Sequence, residues 1–291
     1  MKGKNTAAYI SLLITFLLWG SIYVASSYAT GVLSPAVVAC GRYIAGTAVL
    51  WIMARGKLKT PIDKADIKYF ILIAVLGYYL TITFNTIGIK LSGASVSSVI
   101  NSMMPVGISI AAAAMLKERI TAVNIGCIAA AIAGTVIVMG GGSEANVLGV
   151  ALMLGGLVVW SIATIYIKKL SSKYPSEMIG AYAMAMSLVI HLPVAAMDIA
   201  RNGIQLQNGA VLAVLYMGIF TTGMAQYLWG KSLAALDAGV CSMFYPLQPV
   251  FSIILGRLFL SEQLRPNFFI GAGIIALTVV INCLHNERAG R

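Results

Sequence analysis

Long apolar stretches broken by short charged ones set the pattern of this chain. No Asp, Glu, Lys or Arg occurs in residues 5–41, 69–89, 91–116, 120–143, 145–167, 202–230 or 266–286. Crossing the hydrocarbon of a bilayer as a helix takes about 20 apolar residues. Backbone N–H and C=O groups in lipid must pair within their own segment, so these runs predict helices. Residues 5–41 are long enough for two, parted by a turn at "TGVLSP", residues 30–35. The run 178–197 is just long enough for one, and 238–256 stops slightly short at Arg257. The predicted spans are 6–28, 35–54, 67–89, 94–116, 121–140, 147–168, 177–197, 210–231, 238–260 and 266–285. The expected fold class is an all-α integral membrane protein with ten transmembrane helices.

Composition supports that class. Of 291 residues, 59% are hydrophobic and 10% charged, against about 25% charged in a soluble domain. The start, "MKGKN" before an apolar run, imitates a signal peptide. The run is too long for one and nine more spans follow, so it reads as a retained first helix. Cys40, Cys127, Cys241 and Cys283 fall singly in different spans, where a thiol is a small apolar packing group. No metal-ligand spacing and no cofactor motif is present, so neither is expected.

A net charge of +11 invites a nucleic-acid reading. Its distribution argues against one. With the amino terminus in the cytoplasm, fifteen Lys and Arg fall inside, four (Lys90, Arg201, Arg257, Arg265) fall outside, and Arg42 lies within a span. This is the positive-inside bias. It predicts a multi-pass protein of the inner (plasma) membrane with both termini cytoplasmic. Its partners are then the lipid bilayer, whose anionic heads some inside lysines touch, and a small-molecule substrate.

The chain also repeats itself. "LLWGS", 17–21, falls on "VVWSI", 158–162, and "SPAVVACGRY", 34–43, on "YPSEMIGAYA", 174–183. Trp19 then matches Trp160, Pro35 Pro175, Gly77 Gly218, Asn85 Gln226, Asn101 Tyr245, Pro105 Pro249, and Glu118 Glu262. Each half, 1–143 and 144–291, holds five spans. An odd number makes the second half enter from the opposite side, giving two inverted five-helix repeats. Secondary transporters often use such repeats, with the substrate site at their interface near the midplane.

The candidate chemistry is mostly uncharged. Pro105 and Pro249 each stand within a predicted span, where a proline removes a backbone bond and bends the helix, so they are candidate gating kinks. Glu118 and Glu262 precede the following helices and read as caps favoured by the helix dipole. Buried ionisable groups in a membrane are costly and mark function. Arg42 suits an anionic group such as a carboxylate, or snorkels outward. His191 titrates near neutrality and is the possible coupling group. All nine carboxylates map to loops or helix ends, which disfavours coupling through a buried acid. The candidate substrate-binding residues are Asn101 and Tyr245, then Gln248, Gln226 and Trp160, with Trp19, Tyr78, Tyr79, Asn85 and Arg42. An aromatic and amide lining suits an amphiphilic substrate.

Several of these features together resemble the drug/metabolite transporter superfamily, in its EamA-like branch. They are ten spans in about 290 residues, "RY" in the second, a proline followed by "KE" or "SE" in both halves, and "IGAGII" in the tenth. The resemblance covers nearly the whole chain. It implies export of small metabolites, often amino acids or related amphiphiles. It also implies a central cavity lined chiefly by spans one, three, four, six, eight and nine. Arg42 departs from the internal pairing, since Tyr182 stands opposite it.

The function expected is therefore a secondary transporter that exports small metabolites across the inner membrane by alternating access, rather than an enzyme. A flippase for a lipid-linked carrier is the alternative. An integral membrane enzyme is disfavoured, because only His191 and His285 are histidines and no intramembrane carboxylate pair exists. Substrate identity, transport direction, coupling ion, and whether the chain is a monomer or homodimer stay open. Small residues in "IGCIAAAIAG" and "IGAGIIA" allow close helix approach, within the chain or between copies.

Overall fold

A computed structural model describes residues 2–58, 60–116, 121–140, 146–235, 244–245, 247–261, 264 and 266–289. The regular elements among them are all helical. They run α1 (Lys2–Thr30), α2 (Pro35–Ala54), α3 (Ile67–Ser92), α4 (Ala94–Asn101), α5 (Met104–Leu116), α6 (Ala122–Gly140), α7 (Val147–Ser171) and α8 (Ser176–Asn202). Then come α9 (Asn208–Tyr216, Met217–Met224 and Ala225–Ala235), α10 (Leu247–Phe259) and α11 (Pro266–Ala289). Seven stretches among the described residues are long and apolar enough to cross a membrane, and shorter apolar helices lie at Ile125–Ile137, Leu247–Phe259 and Pro266–Ile281.

Local sequence explains the boundaries. The Ser34 hydroxyl accepts from Val37 N–H at 3.3 Å and Pro35 opens α2, where its missing N–H costs nothing. Asn146 caps α7 through Leu148 N–H at 2.8 Å. Gly93, at φ 78°, makes the sharp turn from α3 to α4, a conformation that disfavours a side chain.

The expected kinks take a different form. Span 94–116 is not one bent helix: α4 ends at Asn101, Ser102 and Met103 turn, and Pro105 stands in the first turn of α5. Pro249 likewise stands in the first turn of α10. A first-turn proline gives up no helical bond, so both prolines start helices rather than bend them. Glu118, Glu262, Pro246 and Cys241 lie outside the described residues.

Two π-helical segments, Ile73–Leu80 in α3 and Met217–Met224 in α9, start 144 residues apart, the separation of Pro105 from Pro249. In each, a backbone carbonyl receives a side chain from the other half of the chain. Trp19 Nε1 donates to Thr221 O at 3.1 Å, and His191 Nε2 meets Tyr78 O at 3.1 Å.

Small residues set the closest helix contacts. α2 meets α9 at Gly46, where a Cβ would lie 2.6 Å from Thr222 Cγ2. α3 meets α7 at Gly88, where it would lie 2.7 Å from Met153 Cγ. α6 meets α11 at Gly134, 2.8 Å from Ile275 Cγ1. The small residues of the fifth and tenth spans thus face each other within one chain.

The end holding most of the basic residues is tied across the halves. Lys57 pairs with Glu177. Asp66 Oδ2 accepts from Lys173 Nζ at 2.9 Å and from Tyr174 Oη at 3.0 Å. The Lys173 ammonium, aided by the Tyr174 hydroxyl, holds the Asp66 carboxyl below the usual carboxylate range. A depressed folded value contributes stability above the unfolded value, and that stability is lost as pH falls through the folded one. Asp66→Asn should lower the unfolding temperature by about 1–3 °C at pH 7, because the pair is partly open to water. The difference from the parent should begin to shrink as pH falls below about 4 and close only below the depressed folded value. A difference in thermal melts that does not shrink at all as pH falls below about 4 would mean that the carboxylate charge is not what stabilises this end.

Candidate substrate cavity

Between the helices lies a central cavity of about 120 Å³. Its wall takes Trp19 and Tyr23 from α1, Arg42 and Tyr43 from α2, and Tyr78, Thr81 and Asn85 from α3. Asn101 and Met104 come from the broken pair α4 and α5, Trp160 from α7, and Met184 from α8. Thr221, Thr222 and Gln226 come from α9, Tyr245 from the turn at 244–245, and Gln248 from the first turn of α10. The second and seventh spans therefore join the six expected to line it.

Of the residues singled out in the sequence, Asn101, Tyr245, Gln248, Gln226, Trp160, Trp19, Tyr78, Asn85 and Arg42 share this one wall. Tyr79 does not. Its ring lies edge-on to His191, centroids 5.0 Å apart. Successive residues of a helix project roughly 80–100° apart, so Tyr78 and Tyr79 cannot face the same space. Pro105, Pro249 and His191 also stand behind the wall. His191 is buried between the Tyr43 and Tyr79 rings and touches the wall from behind through the Tyr43 ring and its bond to Tyr78 O.

Gln248 organises one side. Its Oε1 accepts from Tyr23 Oη at 3.0 Å and from Asn101 Nδ2 at 3.2 Å, joining α1, α4 and α10 at a single atom. Trp19 packs edge-on to Phe16 at 5.3 Å, and Phe16 to Tyr245 at 5.0 Å. Across the cavity, Trp160 meets Tyr78 edge-on at 5.8 Å and packs where Gly77 leaves room. Gln226 Nε2 donates to Tyr78 Oη at 3.4 Å. These contacts fix aromatic rings in edge-to-face arrangements that favour rigidity.

Arg42 is 5% exposed. Its Nε donates to Thr222 Oγ1 at 3.2 Å, and Gly218 opposite leaves room for the α2 backbone at this level. No carboxylate among the described residues pairs with it.

The residues missed from sequence are Tyr43, Met104, Met184 and the threonines Thr81, Thr221 and Thr222. Tyr43 sat beside Arg42 in "RY". The threonines carried no signal, since a threonine in a span more often bonds its own preceding turn, as Thr221 also does to Met217 O at 2.8 Å.

The profile of the EamA-like transporter family matches residues 6–140 and again residues 147–284. The chain belongs to this family, within the drug/metabolite transporter superfamily, and is a multi-pass membrane transporter of that type. An uncharacterized transporter of Archaeoglobus fulgidus is 29% identical over 274 residues, which is 94% of this chain and 97% of its own length. The S-adenosylmethionine/S-adenosylhomocysteine transporter of Chlamydia trachomatis serovar L2 is 23% identical, over 93% of this chain and 87% of its own. A solved crystal structure superposes with a TM-score of 0.68 over 98% of this chain and 99% of its own, at 19% identity, so the two share a fold.

Proposed function

We propose that this protein is a secondary transporter that exports small metabolites, amino acids or related amphiphiles, across the inner membrane by alternating access. It is no enzyme, both termini face the cytoplasm, and ten spans form two inverted repeats, 1–143 and 144–291. The central cavity carries this reading, because both halves supply its wall and few charges enter it.

Three further observations support the repeat. The family profile fits each half. The π segments recur at one offset. Contacts exchange between halves: α1 lies on α9 and α10, while α7 lies on α3 and α5. Trp160 packs at Gly77 as Trp19 does at Thr221. An inverted pair of this kind opens to one side by the motion that closes the other. The relative named for S-adenosylmethionine supports small metabolites as the cargo class.

Asn101, Tyr245, Gln248, Gln226, Trp160, Trp19, Tyr78, Asn85 and Arg42 would contact substrate. The helix starts at Pro105 and Pro249 would move as gates, and His191 would report pH to the wall through Tyr78. The test is uptake of a mixed amino-acid and metabolite pool into proteoliposomes, with and without a pH gradient. Uptake that falls by about 10-fold or more in Asn101→Ala and in Tyr245→Ala, both still folded, is the expected result. Absence of uptake for every solute would instead favour lipid-linked cargo.

A further inference from the structure

The lone cation of the cavity wall has no counter-charge, and this says more about the cargo than the aromatic rings do. Arg42 is buried in a membrane span, stays ionised, and keeps one hydrogen bond, from Nε to Thr222. Its terminal N–H groups have no acceptor among the described residues, and no described carboxylate lies within ion-pairing distance. A buried cation left this way is costly, and an anion that completes it gains correspondingly.

Two helix starts add to the same sign. α5 begins at Met104 and α10 at Leu247, and Met104 and Gln248 are both in the cavity wall. A helix N-terminus carries partial positive charge, although the Val106, Leu247 and Gln248 N–H groups here already bond the Met103, Phe244 and Tyr245 carbonyl oxygens.

We propose that the cavity takes an organic monoanion of the carboxylate class with a compact apolar body, its carboxylate held by Arg42. This rests on the cavity being the substrate site. One guanidinium balances one negative charge, so a dianionic phosphate would leave a charge buried and unpaired. A fork of N–H donors matches a carboxylate in two bonds. The faces of Trp19, Trp160 and Tyr245 suit that body.

The test is binding, not transport, so its outcome is separate from that of the transporter reading. Tryptophan fluorescence of the purified full chain in a zwitterionic detergent is titrated with three compounds that share a phenyl ring: phenylacetate, phenylacetamide and phenethylamine. Phenylacetate should bind at least about 10-fold more tightly than the neutral amide or the cationic amine. Arg42→Gln should weaken phenylacetate about 10- to 100-fold and leave the amide unchanged, and Arg42→Lys should fall between. Equal binding of all three by the parent chain, or binding of none, overturns the proposal even if Arg42→Gln fails to fold. The other source of such an anion is a lipid head. If phosphatidylglycerol added to phosphatidylcholine liposomes displaces phenylacetate, the soluble-carboxylate assignment is wrong.

Discussion

Gly218→Leu should leave little folded protein. Gly218 lies in the π segment of α9 directly against α2. A Cβ there would stand 2.5 Å from Ala45 Cβ and 2.8 Å from the Arg42 carbonyl oxygen. Both neighbours belong to or sit close on a helix backbone, which cannot swing aside as the end of a long side chain can. α2 must therefore move away from α9. Gly46 faces Thr222 in the same contact, with a hypothetical Cβ 2.6 Å from Thr222 Cγ2, so separation would open the whole seam. The Arg42 bond to Thr222 crosses that seam and would be lost with it. Overpacking of this kind costs about 1–3 kcal/mol or more, and leucine adds several carbons beyond the first. The measurement is the monodisperse fraction on size exclusion after extraction, with the unfolding temperature of whatever survives. Gly218→Ala should be intermediate. A Gly218→Leu protein with parental yield and melting temperature would show that α2 and α9 do not touch here.

The second large effect concerns Gln248. It is 2% exposed, and its single Oε1 satisfies both Tyr23 Oη and Asn101 Nδ2. Gln248→Leu keeps much of the volume and removes the acceptor. Two donors on two other helices then lose their partner, at about 1–3 kcal/mol for each that stays buried. Transport should fall by about 10- to 100-fold, since the same groups face the cavity. Gln248→Glu separates the two roles. It keeps an acceptor for both donors, so it should lose less stability than Gln248→Leu, while the buried carboxylate carries a cost of its own. It also places a negative charge in the wall, which would oppose an anionic substrate. Retained folding with poor phenylacetate binding is the expected outcome in melts and fluorescence titrations. Equal loss of stability in both variants would mean that the acceptor at Gln248 is not what joins the three helices.

Much of the candidate site was legible because the halves can be laid over one another. Trp19 and Trp160 stood at matched places, and the structure puts each against a π segment of the other half. Asn85 and Gln226 were matched as polar groups, and both reach the wall. Asn101 and Tyr245 were chosen for their spacing before matched prolines. They do reach the wall, but at helix ends rather than beside kinks. The two tyrosines of "GYYL" could not be told apart, because which of two adjacent residues faces inward depends on helix rotation. The π segments were invisible, since "IAVLGYYL" and "MGIFTTGM" share little beyond a glycine.

The sequence alone determined the class and the order of the apolar helices. Those follow from the length of charge-free runs and from residue order, which are properties of the chain itself. The tertiary structure decided that Ser102 and Met103 break a helix, that Tyr79 turns to His191, and that Arg42 meets Thr222 across 180 residues. In water, a polar face would have shown which side of each helix points outward. In lipid both sides are apolar, so that signal is weak and the facing of a helix is settled by contact with its neighbours.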